Sequence, residues 1–175
     1  MQFSIKSALS LLTIFSASAL ADHGHGYLQN ISLYVESNNT EINGNGLVSK
    51  HSGAGVDNIY LATEAEQLIY DNSKNLVYRD YAGQYKEYLD GDSDGFIKLT
   101  VSDDLFATFL FGDSIDGGKE YMSWGSAQTG FYACKNVNEA YNYSASQYEL
   151  MYYPYEDKID NDSCVAVKVY REFNN

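Results

Sequence analysis

Helical periodicity is nearly absent from this chain. Short runs rich in Val, Ile, Thr, Tyr and Phe alternate instead with clusters of Gly, Asn, Asp and Ser. This pattern is typical of β-strands joined by turns. The candidate strands are 27–37, 46–52, 56–63, 65–72, 75–81, 85–90, 96–102, 105–112, 120–126, 130–136, 147–153 and 164–173. The stretch 63–71 also fits a helix, but its β-branched and Tyr content favours a strand.

About a dozen short strands predict an all-β fold, either a compact barrel or a sandwich. A β-trefoil-like barrel is favoured because twelve strands fit that fold by count, and a β-sandwich is the alternative. No internal repeat or linker divides the chain. We therefore expect one domain, with residues 22–45 as an N-terminal segment that holds the first strand and residues 46–175 as the remainder.

The first 21 residues have the layout of a secretory signal peptide. Lys6 precedes an apolar run that ends in the small residues Ala19 and Ala21, so we expect cleavage after Ala21. The C-terminal sequence CVAVKVYREFNN lacks the hydrophobic tail of a GPI signal, so we expect no GPI anchor. These features predict a protein that is secreted to the medium or the cell wall and leaves the membrane once the signal is removed.

Charge and modification motifs agree with export. The formal net charge of −13 excludes binding to nucleic acid or to an anionic membrane by bulk charge. Two cysteines in an exported chain predict one disulfide, Cys134–Cys164. Four N-x-S/T sequons predict N-glycosylation, and their asparagines are Asn30, Asn38, Asn142 and Asn161.

The stretch DGDSDG, residues 90–95, resembles the first half of a calcium loop. A complete loop needs a bidentate carboxylate at its twelfth position, where this chain has Val101, and its ninth position is Lys98. We therefore interpret the stretch as a tight connection between strands and predict no metal site, with a weak surface calcium site as the alternative. The nearby Ser-Asp-Asp of 102–104 is interpreted as a hairpin turn.

Standard catalytic motifs are missing, so we predict no enzyme activity, no catalytic residues and no cofactor. Two enzymatic alternatives stay open. A pair of carboxylates would suit glycoside hydrolysis, although the sequence singles out no pair. Copper would bind at a processed N-terminus if the mature chain began at His23, with His51 as a second ligand. His25 and His23 lie in a Gly-flanked start, which favours a floppy polar terminus over this oxidase hypothesis.

Aromatic residues are abundant, with 17 Tyr, 8 Phe and 1 Trp. Several tyrosines crowd the span between the cysteines, where neighbours in YNYS and YYPY must point to both faces of a strand. Packing is the favoured interpretation. The alternative is glycan contact by exposed rings, with Tyr143, Tyr152, Tyr153 and Tyr155 as the candidates.

Three segments resemble fungal cell-wall proteins of the PhiA type: GLVSKHSGAGVDNIYL, FIKLTVSDDLFATFLF, and GFYACKN with Cys164 some thirty residues later. The chain is also similar to the yeast-form wall proteins of related yeasts. The resemblance spans 46–171 and implies an exported, non-catalytic glycoprotein that affects surface properties. We expect wall polysaccharide or other wall proteins as partners. The missing GPI signal departs from the anchored yeast members.

Overall fold

Antiparallel β-strands account for most of the computed structural model, which describes residues 27–102, 104–105, 108–113, 118–125, 127, 129–155 and 159–174. The all-β prediction is confirmed. The strands are β1 Leu28–Glu36, β2 Gly46–Gly53, β3 Val56–Ala62, β4 Leu68–Asp71, β5 Leu76–Asp80, β6 Lys86–Gly91, β7 Ile97–Thr100, β8 Phe109–Asp113, β9 Glu120–Trp124, β10 Phe131–Cys134, β11 Glu149–Tyr152, β12 Val165–Ala166 and β13 Lys168–Phe173. The predicted signal peptide, His23 and His25 lie outside these residues.

Seven of the strands close into a barrel. The order around the barrel is β1, β2, β3, β7, β6, β5 and β4, and β4 returns to pair with β1. Closure removes the open edges that a flat sheet of the same strands would expose. Of the architectures that the sequence pattern allowed, the barrel is the one observed.

Two extensions leave the barrel. One extension continues from β1 through β13 and β9 to β8. The other continues from β3 through β11 and β10 to β12. The candidate strand 164–173 is divided into β12 and β13. Val167 lies between these two strands, and its backbone N–H donates to the Phe131 carbonyl oxygen. Both extensions bring late parts of the chain against the barrel.

The apolar core follows the period of two along each strand. Leu89 on β6 and Leu99 on β7 are buried in this core, whereas Tyr88 and Lys98, which precede them, are only partly buried. The core continues into both extensions, where Phe109, Met122 and Leu150 are also buried. One continuous core therefore holds the barrel and its extensions together.

The hairpin predicted for 102–104 is wrong. The flanking strands β7 and β8 do not pair, since β7 lies between β3 and β6 and β8 pairs with β9. A turn-forming sequence fixes a change of direction but not which strand the chain meets next. The segment after β7 therefore crosses to the first extension.

The predicted disulfide is confirmed, with Cys134 and Cys164 joined. Cys134 ends β10 and is fully buried with Met151 and Tyr132. Cys164 immediately precedes β12, which pairs with β10 through Tyr132 and Ala133. The bond thus prolongs the contact between two neighbouring strands of the second extension.

Helical structure within the described residues is one 3-10 turn, Tyr143–Ala145. Asn142 precedes it with a φ of 55°. The buried hydroxyl of Ser144 accepts from the Val137 N–H at 3.2 Å, which ties this turn to the loop after β10. In the described part of the chain, no helix has the length and apolar character needed to cross a membrane.

The two ends of the barrel are closed by different chemistry. At one end the Arg79 guanidinium forms ion pairs with Asp57 and Glu87. Each of these three side chains is two residues from a buried apolar residue on its own strand and therefore lies on the same face of that strand. At the other end the Trp124 ring lies directly against Gly91. The same strand, β6, carries Glu87 to the first end and Gly91 to the second.

Candidate functional site

The Trp124 end of the barrel carries a cavity of about 390 Å³. We call it the aromatic pocket, and its lining residues are Asp92, Ser93, Gly95, Trp124, Tyr152, Tyr153 and Pro154. They come from three places in the chain: the β6–β7 connection, the end of β9 and the end of β11. An apolar wall with a few converging polar groups is the usual composition of a small-molecule site.

Two rings in close contact form the wall of the aromatic pocket. The centroids of Trp124 and Tyr152 lie 4.2 Å apart with 32° between the ring planes. Phe131 contacts Tyr152 edge-on at 5.1 Å, and Phe109 contacts Trp124 edge-on at 5.7 Å. Because Phe131 and Phe109 belong to the continuous core, the two pocket rings are held rigidly from behind.

Gly95 and Gly130 allow the backbone to approach the rings of the pocket wall closely. A Cβ at Gly95 would lie 2.9 Å from the Tyr152 carbonyl oxygen and 2.9 Å from the Tyr153 ring, and Gly95 has a φ of 92°. Gly130, with a φ of 100°, would place a Cβ 2.9 Å from the Tyr152 ring. Both conformations disfavour any residue with a Cβ. The close approach allows hydrogen bonds of 2.7 Å from the Tyr152 N–H to Gly95 and from the Tyr153 N–H to Gly130.

The polar side of the pocket is formed by the DGDSDG stretch. Asp92 Oδ1 accepts from the backbone N–H groups of Asp94 and Phe96, each at 3.0 Å. Asp92 Oδ2 accepts from Lys98 Nζ at 3.0 Å. The stretch is therefore the strand connection that its turn residues indicate, and Lys98 contacts a carboxylate that a calcium loop would use for the ion.

Metal ligation has little support elsewhere in the described part of the chain. No group of three or more His, Cys, Asp or Glu side chains there is arranged to hold an ion. His51 lies 3.5 Å from Asp57 and 5.8 Å, between ring centroids, from Tyr141. The absence of calcium and copper binding stays a prediction.

The pocket tyrosines are neutral hydrogen-bonding groups. Burial, and then the charges of Glu149 and Asp92, raise the pKa of the Tyr153 hydroxyl. Burial also raises the pKa of Tyr152. Each hydroxyl therefore keeps its proton at physiological pH and is able both to donate and to accept.

The structure brings together two of the four tyrosines considered for glycan contact. Tyr152 and Tyr153 line the aromatic pocket, and the exposed Tyr155 follows Pro154 at its edge. Tyr143 lies apart, edge-on to Tyr60 and beneath Lys50 Nζ, which is 5.0 Å from its ring centroid. Packing thus accounts for Tyr143, and it accounts in part for Tyr152, which is only 9% exposed.

Sequence reasoning did not find Trp124 or the contribution of Asp92 to this site. The single tryptophan was a visible signal. Its position depends on pairing between β9 and β13, which brings the first extension over the barrel end. The backbone bridge between Phe96 and Met151 brings the DGDSDG connection to β11. Neither pairing has a signature in the local sequence.

The four sequon asparagines have different surroundings. Asn30, Asn38 and Asn142 are exposed. Asn161 is half-buried, and its Nδ2 donates to the Lys135 carbonyl oxygen at 2.8 Å. Its Oδ1 accepts from the Ser163 hydroxyl at 2.7 Å. A glycan at Asn161 would therefore have to be accommodated beside a structural hydrogen bond, whereas the first three side chains face solvent. Glycosylation at all four stays a prediction.

Comparison with known proteins finds relatives among curated sequences. Cell wall protein RHD3 of Candida albicans is 30% identical over 155 residues, which are 81% of this chain and 64% of RHD3. Cell wall protein PGA31 of the same organism is 31% identical over 159 residues, covering 83% of this chain and 46% of PGA31. Cell wall protein PGA30, also from C. albicans, is 27% identical over 149 residues, covering 82% and 50%.

This chain is similar to fungal cell wall proteins. It spans about half to two thirds of the length of the curated relatives that it matches. No family model and no solved structure matches it. The similarity supports the resemblance to yeast wall proteins, while the PhiA type stays a prediction.

Proposed function

We propose that this chain is an exported, non-catalytic glycoprotein of a fungal wall and that its aromatic pocket holds a sugar unit of wall polysaccharide. The wall assignment rests on the similarity to RHD3, PGA31 and PGA30, each of which is named a cell wall protein. The sugar assignment rests on one observation: the Trp124–Tyr152 ring pair stands beside polar groups in an open cavity.

The geometry of the pocket suits a pyranose ring. Its flat C–H face would lie on the part of the Trp124 ring that lines the pocket, because aromatic faces carry partial negative charge and C–H groups carry partial positive charge. The Tyr153 hydroxyl and the Asp92 carboxylate would bond the equatorial hydroxyls. Because Asp92 is paired with Lys98, the ligand requires no compensating charge, and a neutral sugar fits best.

Catalysis is not part of the proposal. Glycoside hydrolysis requires two carboxyl groups that reach the sugar from either side. Among the described residues, Asp92 is the single carboxyl-bearing side chain that lines the pocket. Glu149 has a raised pKa of about 7, caused first by burial, but it is 0% exposed. A rate of reducing-sugar release above buffer from glucan, mannan or chitin would overturn the non-catalytic assignment.

The location and the modifications of the protein are proposed from its N-terminal sequence and its sequons. We propose secretion after removal of residues 1–21 and glycans on Asn30, Asn38, Asn142 and Asn161. Wall polysaccharide is the proposed partner, and other wall proteins are the alternative. Peptide mass mapping of the exported protein would test the signal cleavage and the four sequons together. An N-terminus at His23 would instead favour the copper oxidase alternative.

The binding experiment is a pull-down on insoluble wall glucan, mannan and chitin. We expect wild type to bind at least one polymer and Trp124→Ala to bind it about tenfold more weakly, the equivalent of about 1.4 kcal/mol. Tyr27→Ala is the matched control, since Tyr27 is 52% exposed and outside the pocket. Trp124→Phe keeps a ring on the core and separates loss of stacking from loss of stability.

Melting temperatures of all variants accompany the pull-down. The proposal fails if wild type binds none of the three polymers. It also fails if Trp124→Ala binds as tightly as Tyr27→Ala, or if every loss of binding tracks an equal loss of thermal stability.

A further inference from the structure

We propose that the opposite end of the barrel carries a second saccharide pocket, so that one chain bridges two polysaccharide strands. This inference rests on the proposed function of the aromatic pocket. The second cavity measures about 440 Å³. We call it the tyrosine pocket, and its main lining residues are His51, Asp57, Tyr81, Tyr85, Glu87 and Val101.

A stacked pair of rings forms the platform of this pocket. The centroids of Tyr81 and Tyr85 lie 4.4 Å apart with 24° between the planes. Tyr85 is 46% exposed and does not belong to the buried core of the described residues. Tyr81 is the less exposed of the two tyrosines, and the Arg79 guanidinium holds its ring in place from 4.9 Å, measured to the ring centroid.

The turn between the two rings is strained. Ala82 has a φ of 53° and Gly83 a φ of 76°, and the Gln84 N–H donates to the Tyr81 carbonyl oxygen at 3.0 Å. Positive φ at both central residues defines a type I′ turn, which is unfavourable for alanine. This turn joins β5 to β6 and, at the cost of an unfavourable conformation for Ala82, sets Tyr81 and Tyr85 side by side.

Hydrogen-bonding groups surround this platform. The Asp57 and Glu87 carboxylates line the cavity, and both are held from behind by Arg79. His51 lies 3.5 Å from Asp57, with its side chain 63% exposed. Burial, and then the charge of Glu87, raise the pKa of Tyr81 to about 12, so its hydroxyl stays protonated.

The charge of this cluster selects the ligand. Arg79 faces three carboxylates, because Glu66 Oε2 also lies 3.2 Å from its Nη1. The surplus of acceptors suits the hydroxyl groups of a neutral sugar or the ammonium of an amino sugar, and it repels an acidic polysaccharide. Glucan, mannan and chitin fragments are all compatible with this requirement.

The two pockets are separated by the length of a barrel strand. Glu87 of the tyrosine pocket and Asp92 of the aromatic pocket are five residues apart along and just beyond β6, or about 17 Å at 3.3 Å per residue. They also lie at opposite ends of the β6–β7 pair. Neighbouring sugars of one straight strand would not reach both, so simultaneous occupancy links separate strands or distant parts of one strand.

The experiment measures stoichiometry and bridging for each pocket separately. Soluble hexasaccharides of glucan, mannan and chitin are titrated calorimetrically into wild type, Tyr85→Ala, Trp124→Ala and the double variant. We expect two hexasaccharides per chain for wild type, one for each single variant and none for the double variant. Light scattering with the corresponding soluble polymer should show aggregates with wild type that both single variants reduce at least tenfold.

The outcomes separate this inference from the proposed function. One hexasaccharide per wild-type chain, lost in Trp124→Ala and unchanged in Tyr85→Ala, would overturn the second pocket and leave the aromatic pocket intact. The reverse pattern would overturn the aromatic pocket. No binding of any hexasaccharide would overturn both. Tyr27→Ala and the melting temperature of each variant serve as controls for nonspecific loss.

Discussion

The Trp124 ring lies so close to Gly91 that any side chain at that position would overlap it. A Cβ built on Gly91 would be 2.3 Å from the nearest ring carbon of Trp124. Gly91 is also the last residue of β6, immediately before the connection that lines the aromatic pocket. One glycine therefore joins the barrel end to the wall of the proposed sugar site.

Gly91→Ala should displace Trp124 and weaken both folding and binding. We expect a loss of about 1–3 kcal/mol in the free energy of unfolding, the usual range for an overpacked site. In a Trp124→Ala background the same change should cost much less, because the clashing ring is gone. Urea denaturation of the two single variants and the double variant gives this coupling, and additive losses would contradict the contact.

Replacing Arg79 should destabilise the opposite end of the barrel. Arg79→Met would leave Asp57 and Glu87 as partly buried carboxylates without their cation, at a cost of about 3 kcal/mol. Lys74→Met is the matched control, since Lys74 is 69% exposed beside Asp71 and its pair should contribute under about 1 kcal/mol. Equal losses in urea denaturation would refute the structural role of Arg79.

Glu149 is a buried acid with incomplete hydrogen bonding. Its Oε1 accepts from Asn58 Nδ2 at 2.6 Å, while Oε2 is buried and has no hydrogen bond of normal geometry among the described residues. Burial is the main cause that raises the pKa of Glu149 to about 7 from its ordinary 4.5. The folded protein thus retains a proton that the unfolded chain releases.

This proton makes stability depend on pH with a defined sign. The contribution of Glu149 is fully present below pH 4.5 and is lost as the pH rises towards 7, by on the order of 3 kcal/mol. Glu149→Gln mimics the protonated acid and should remove this dependence. We expect the melting temperature of wild type to fall relative to Glu149→Gln between pH 5 and pH 8, and parallel curves would contradict the assignment.

The disulfide should contribute strongly to stability. The two cysteines are 30 residues apart, and closing such a loop in the unfolded chain is worth about 3–4 kcal/mol. Replacing Cys134 and Cys164 together by Ala should lower the melting temperature by several degrees or more. Thiol titration of the exported wild type under denaturing, non-reducing conditions should find no free thiol, and two free thiols would refute the bond.

Strand positions followed well from the sequence, because runs such as FIKLTV and ELMYY form strands wherever the turn residues place them. The disulfide followed from export and from an even cysteine count. Barrel closure did not follow, since the pairing of β4 with β1 joins residues about forty positions apart without a local signal. Similarly, the turn residues of 102–104 did not reveal that β7 and β8 have different partners.

The candidate site could be predicted only in part, because long-range pairing brings its residues together. The sequence indicated Tyr152 and Tyr153 as adjacent aromatic residues, and it indicated Asp92 as part of a calcium-like stretch. Their meeting depends on a 2.7 Å hydrogen bond from Tyr152 to Gly95, across 57 residues of sequence. Trp124 completes the pocket through the first extension, and no pattern near Trp124 indicates that packing.

The central claim is tested most directly by the fluorescence of Trp124, which is the single tryptophan of the chain and forms the pocket wall. Wild type is titrated with soluble hexasaccharides of glucan, mannan and chitin while its emission is recorded. A sugar stacked on the ring should give a saturable change in intensity or wavelength with at least one of them, and Tyr153→Phe should weaken it by removing one hydroxyl. Unchanged emission at saccharide concentrations that saturate polymer binding would contradict the aromatic pocket as the binding site.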